Sequence, residues 1–189
     1  MGAGLSAATL RHRRDPFAQP HRPRQHRAHR QQFRSLRIEQ ALQRVPYSVI
    51  HIASHGEFSS DPDRSFILTY DGRLTLDELE AAVKQGAFRD QPLELLTLSA
   101  CQTAAGDDRA ALGLAGIAIK AGARSAVASL WSINDEATSR LITRFYEQLH
   151  APGMNKAQAL QTVQMELIRE PRFRHPGYWS PFLVIGNWL

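Results

Sequence analysis

VIHIASHG, Val49 to Gly56, decides how the rest of the chain is read. Its first five residues, Val49 to Ala53, are apolar or β-branched apart from His51, which is the pattern of a strand buried on both faces. The strand then runs out into Ser54-His55-Gly56. A second apolar run, Leu93 to Ala100, ends in the same manner at Cys101-Gln102-Thr103. A third, Ser125 to Trp131, follows Gly122. Strands covered on both faces need helices on both faces, and the intervening segments supply them.

Phe33, Leu36, Ile38, Ala41 and Leu42 fit a short helix that ends before Pro46. Ser65 to Tyr70 and Arg73 to Thr75, joined through Asp71-Gly72, fit a hairpin. Thr75 and Glu78 have the spacing of a capping box, with Leu76, Leu79, Ala82 and Val83 on one helical face. Ala110 to Ala121 is an apolar helix stopping at Gly122. Asn134 starts a helix with Thr138, Leu141, Ile142, Phe145 and Leu149 inward, and Asn155 starts another with Ala159, Leu160, Val163 and Leu167 inward. Phe182 to Gly186 is the closing strand. The fold class is therefore α/β, a mostly parallel sheet flanked by helices.

In open sheets of this kind the reactive groups lie beyond the carboxyl ends of the strands. His55 and Cys101 each stand just past such an end, 46 positions apart, which leaves room for one crossover plus the hairpin. An imidazole beside a thiol accepts or shares its proton and raises the thiolate fraction. Gly56 lacks a Cβ, so its N–H can approach a substrate carbonyl and, with the N–H of Cys101, hold an oxyanion. On spacing alone the pair fits equally a small buried cysteine and a hydrogen-bonded loop histidine.

The charge is unevenly spread. Residues 1–44 hold ten of the 23 basic residues and two of the 18 acids, so residues 45–189 are mildly acidic despite a formal net charge of +5. Residues 1–32, rich in Arg, His, Gln and Pro, read as a disordered basic tail ahead of a domain spanning 33–189. His12, His21, His26 and His29 lack metal-ligand spacing, and without interleaved aromatics the tail predicts at most weak nucleic-acid binding. A single cysteine rules out an intramolecular disulfide and points to a reducing, cytoplasmic setting. No apolar run has the roughly 18 residues that a membrane span requires.

The runs V-I-H-I-A-S-H-G at 49–56, L-L-T-L-S-A-C-Q-T-A-A-G at 95–106, G-L-A-G-I-A-I-K-A-G-A-R-S-A-V-A-S-L-W-S-I-N-D-E-A-T at 113–138 and Y-W-S-P-F-L-V-I-G at 178–186 together resemble a CHAT domain. That family belongs to the caspase-like cysteine peptidases, alongside caspases, separase and metacaspases. The resemblance runs from about residue 36 to 189 and implies a three-layer caspase-like sandwich with a His–Cys dyad. It assigns His55 and Cys101 to the dyad and Gly56, with Cys101, to the oxyanion hole. Trp131 and Asp135 fall in a W-x-x-x-D block and are candidates for the substrate cleft; Asp135 fits equally a helix start, where a carboxylate complements the dipole. Ser99, Gln102 and Thr103 are candidates for shaping the nucleophile loop, and Glu57 for orienting His55. His51 reads as a packed or hydrogen-bonded histidine.

The resemblance implies peptide-bond hydrolysis on a protein or peptide substrate, no metal or organic cofactor, and a regulatory partner of the tetratricopeptide type, in bacterial signalling or defence. The other reading is a catalytically inactive interaction module or a truncated copy. Caspase-like domains place strand and helix pairs ahead of the histidine strand. Residues 1–32 show nothing resembling them, so the sheet is expected to lack its first strands and to leave an open edge beside Tyr47–Ile52.

Overall fold

The computed structural model of the chain describes residues 9–12, 26–27, 34–45, 47–58, 65–87, 92–99, 102–103, 116, 118–119, 122–131 and 134–189. Two short strands, β1 (Thr9–His12) and β2 (His26–Arg27), precede α1 (Ser35–Arg44) and β3 (Tyr47–Ile52). Then come β4 (Gly56–Phe58), β5 (Phe66–Leu68), β6 (Arg73–Thr75), α2 (Leu76–Ala87), β7 (Leu95–Leu98) and β8 (Gln102–Thr103). The chain continues through β9 (Ser125–Ser129), α3 (Asp135–Leu149), α4 (Lys156–Arg169) and β10 (Phe182–Gly186).

Six strands form the main sheet in the order β10-β9-β7-β3-β1-β2, and four form a smaller one in the order β6-β5-β4-β8. In the main sheet β3, β7 and β9 run parallel at the centre, while β10 and β1 pair antiparallel at their flanks. With β2 antiparallel to β1, four of the six strands share one direction.

The centre is apolar on both faces because consecutive side chains alternate between them. Ile50, Ile52, Leu96, Leu98, Ala126 and Ala128 pack with Ile38 and Leu42 of α1 and Leu79, Ala82 and Val83 of α2. Val49, Leu95 and Val127 pack with Leu141, Phe145 and Leu149 of α3 and Leu160, Val163 and Leu167 of α4. This is the expected three-layer sandwich. In α1 the inward pair is Ile38 and Leu42, whereas Leu36, in the same helix, is 61% exposed. Two positions turn a helix by about 200°, so Leu36 cannot share a face with Ile38.

The caps form as the sequence predicts. Thr75 and Glu78 exchange hydrogen bonds, Asn134 accepts from the N–H groups of Glu136 and Ala137, and Asn155 and Gln158 close a capping box. Arg144 of α3 grips Glu166 of α4 through two parallel bonds of 3.0 Å each. Of the expected helix at 110–121, only Gly116, Ala118 and Ile119 fall within the described residues, and all three are helical.

The edge of β3 that composition leaves open is instead paired. Thr9 lies opposite His51, Leu10 opposite Ile50 and Arg11 opposite Val49. A strand edge offers a row of N–H and C=O groups that a short segment of almost any composition can satisfy, so composition gives no sign of such pairing.

Candidate active site

β3 ends at Ile52, and Ala53, Ser54 and His55 carry the chain from the main sheet into the small one. The turn is held from one side by β5. The buried Ser54 hydroxyl donates to the Leu68 carbonyl at 2.5 Å, and the Leu68 N–H donates to the His55 carbonyl at 2.7 Å. The backbone of His55 is thus anchored while the residue itself is exposed. Gly56 lies opposite Ile67 in the ladder. Since the bond to Leu68 comes from the His55 carbonyl, Gly56 and Ile67 form a non-hydrogen-bonded pair. The Gly56 N–H therefore turns away from β5, toward the side where β8 runs.

The second arm leaves β7 beside the first. The Ser99 N–H donates to the Ile52 carbonyl at 3.1 Å, and beyond it Gln102 and Thr103 pair in parallel with Glu57 and Phe58. The two crossings run side by side but differ in length. Ile52 is level with Leu98, an offset of 46, and Glu57 is level with Gln102, an offset of 45, so the histidine arm is one residue longer. Cys101, the expected nucleophile and second oxyanion donor, lies outside the described residues. Of the loop-shaping candidates, Gln102 and Thr103 are strand residues of β8, and Glu57 is half-buried in β4.

β9 brings its carboxyl end to the same rim as β3 and β7. Just past it, Trp131 is 41% exposed. Asp135 is exposed in the first turn of α3, next to the Asn134 cap. That location suits a carboxylate at a helix start and keeps it on the rim of the candidate site.

On the α3 and α4 side of the sheet, under this rim, sits a polar group of which sequence reading separated only His51 and Ser99. His51 Nε2 lies 2.7 Å from Ser99 Oγ, and the Tyr146 hydroxyl donates to Thr97 Oγ1 at 2.8 Å. The rings of His51 and Tyr146 are 5.7 Å apart, tilted by 43°. The available signals were a threonine inside the apolar run Leu95–Leu98 and a tyrosine next to the inward Phe145. Among the described residues there is no group of three or more potential metal ligands, and no helix long and apolar enough to cross a membrane.

The profile that describes the CHAT domain matches residues 7–187. The chain belongs to the CHAT domain family. The match starts ahead of residue 36, where the sequence resemblance begins, and takes in β1 and β2 of the main sheet. No curated protein matches the chain. CHAT membership places it in the caspase-like peptidase family.

Proposed function

We propose that this CHAT domain is a cysteine endopeptidase with His55 and Cys101 as its dyad. The observation that carries the reading is the double tie between the two crossings. Ser99 is bonded to Ile52 below, Gln102 is paired with Glu57 above, and the segments in between contain His55 and Cys101. The Gly56 N–H, turned toward the β8 side, supports its role as an oxyanion donor.

In the reaction, His55 takes the thiol proton and the sulfur attacks the peptide carbonyl, forming a C–S bond. The oxyanion is held by the N–H groups of Gly56 and Cys101. As the C–N bond breaks, the imidazolium returns its proton to the departing amine. Water then attacks the thioester with His55 as base, releasing the acid and restoring the thiol. Neither a metal nor an organic cofactor enters any step. Trp131 and Asp135 on the rim are candidates to contact the substrate. We place the domain in the cytoplasm, as the effector part of a bacterial signalling or defence system under a tetratricopeptide-type partner.

The test is the rate of alkylation of Cys101 by iodoacetamide against pH, in wild type and in His55→Ala, both shown to be folded by circular dichroism. Since Cys101 is the single cysteine, the signal has one source. A working dyad gives an apparent thiol pKa below the ordinary value of about 8.5, lost in the variant. An ordinary thiol in both would leave the non-catalytic interaction module as the reading.

A further inference from the structure

We propose that His51, acting through Ser99, is a positioning residue for the dyad: it locks the carboxyl ends of β3 and β7 together at the point where both strands leave the sheet. This rests on the peptidase reading above.

The polar group lies where apolar side chains would serve a core better. On the opposite face, the residues nearest the same ends are Ile52, Leu98 and Ala128, all buried. On the α3 and α4 face β3 and β7 are apolar at the lower level, Val49 and Leu95, while β9 carries the buried Ser125 below Val127, which is level with Thr97. Toward the carboxyl ends the positions become His51, Thr97, Ser99 and Ser129, and Thr97 and Ser129 are buried. Polar atoms taken from water must be hydrogen-bonded or they cost stability, so a sheet under no other demand gains nothing from them here.

The bonding pattern is directional. His51 and Thr97 are opposite each other in the parallel register, yet the His51 ring reaches past Thr97 to the Ser99 hydroxyl, two positions nearer the strand exit. Ser99 is thereby held twice, by its N–H on the Ile52 carbonyl and by its side chain on His51. The ring is packed in turn against Tyr146, whose hydroxyl is bonded to Thr97. His51 is four residues ahead of His55, and Ser99 is two ahead of Cys101. A bond between them therefore ties the two strands where they leave the sheet, below the further anchors at Ser54, His55 and Gln102. Reacting groups need placement within about 0.5 Å, and a displacement of about 1 Å can cost on the order of 100-fold in rate.

The experiment compares His51→Phe, Ser99→Ala and Ser99→Thr with wild type and His55→Ala in the full chain. The measurements are the iodoacetamide pH–rate profile and the thermal unfolding midpoint. Loss of the bond is expected to lower alkylation at neutral pH about 10-fold and to move the apparent thiol pKa back toward about 8.5. Ser99→Thr, which keeps the hydroxyl, retains most of the wild-type rate. Variants that melt earlier but keep the wild-type profile would overturn the proposal and reduce the bond to strand packing. If His51→Phe does not fold, Ser99→Ala, which removes a single hydroxyl, decides the matter alone. An ordinary thiol in wild type, unchanged in His55→Ala, would instead remove the dyad, a result visible without any change at His51.

Discussion

The two faces of the central sheet are built from the same three strands and end differently. Toward α1 and α2, the positions Ile50, Ile52, Leu96, Leu98, Ala126 and Ala128 are apolar up to the strand exits, above the buried Ser48 at the start of β3. Toward α3 and α4, apolar Val49 and Leu95 give way to His51, Thr97 and Ser99 near the strand exits, while β9 carries Ser125, Val127 and Ser129, with Val127 level with Thr97. One face is thus devoted to burial right up to the strand exits. On the other, β3 and β7 change from burial to hydrogen bonding within one step of the side-chain repeat, just below where the arms of the candidate site depart. The lesson is that the demands of stability and of placement are separated by face and by height, so they can be disturbed separately.

The largest expected effect is on the apolar face. Leu96→Ala removes a fully buried side chain and should cost about 2–5 kcal/mol in urea unfolding, while the alkylation profile of the folded fraction stays that of wild type. A loss under about 1 kcal/mol would break the view of that face as the stability side. A smaller effect is expected at the start of α4, behind the other face. Asn155→Ala opens the capping box and should cost about 0.5–2 kcal/mol by the same measurement, again without touching the thiol.

The smallest effect concerns the tie between α1 and the hairpin. Desolvation pulls the Asp71 carboxyl upward, but the Ser35 N–H, the Thr69 hydroxyl, its own backbone N–H and the charge of Arg34 outweigh it and hold it below the ordinary 3.8. With the folded value the lower one, the unfolded chain binds more protons in the window between them. The contribution of Asp71 is therefore whole above 3.8 and disappears as pH falls through the folded value. Unfolding midpoints of wild type and Asp71→Ala should converge on acidification from about pH 5 to pH 2. A gap that widens would reverse the assigned direction.

Much of this fold is legible from residue order because each piece carries a local signature. The apolar runs at 49–53, 93–100 and 125–131 became β3, β7 and β9, the first reaching back to Tyr47 and the other two shorter than the runs. The caps at Thr75, Asn134 and Asn155 depend on neighbours a few positions apart and stand as read; the hairpin forms too, but its register pairs Leu68 with Arg73 and centres the turn on Tyr70-Asp71, one residue before the Asp71-Gly72 expected. What was not legible depends on partners far along the chain. Pairing of Thr9–His12 along β3, and the two-residue ladder of Gln102–Thr103 on Glu57–Phe58, leave no periodicity to detect. The same holds for the site. His55 and Gly56 could be singled out from a strand that ends in a histidine and a glycine. The bond from His51 to Ser99 joins residues 48 positions apart on adjacent strands, and only the parallel register brings them together.

The unequal crossings between the two sheets have a consequence for how this chain tolerates changes in length. The registers at the two ends of each crossing set how many residues lie between them, and the difference of one is what the two registers demand. A deletion anywhere from Ala53 to His55 would have to drag Gly56–Phe58 out of step with β5 and β8, whichever residue is removed. In the connection from His150 to Asn155, which turns at Gly153 with φ +75°, the same deletion meets no second strand whose register it must keep. Between the sheets, the number of residues is itself a structural parameter, as binding as any side chain.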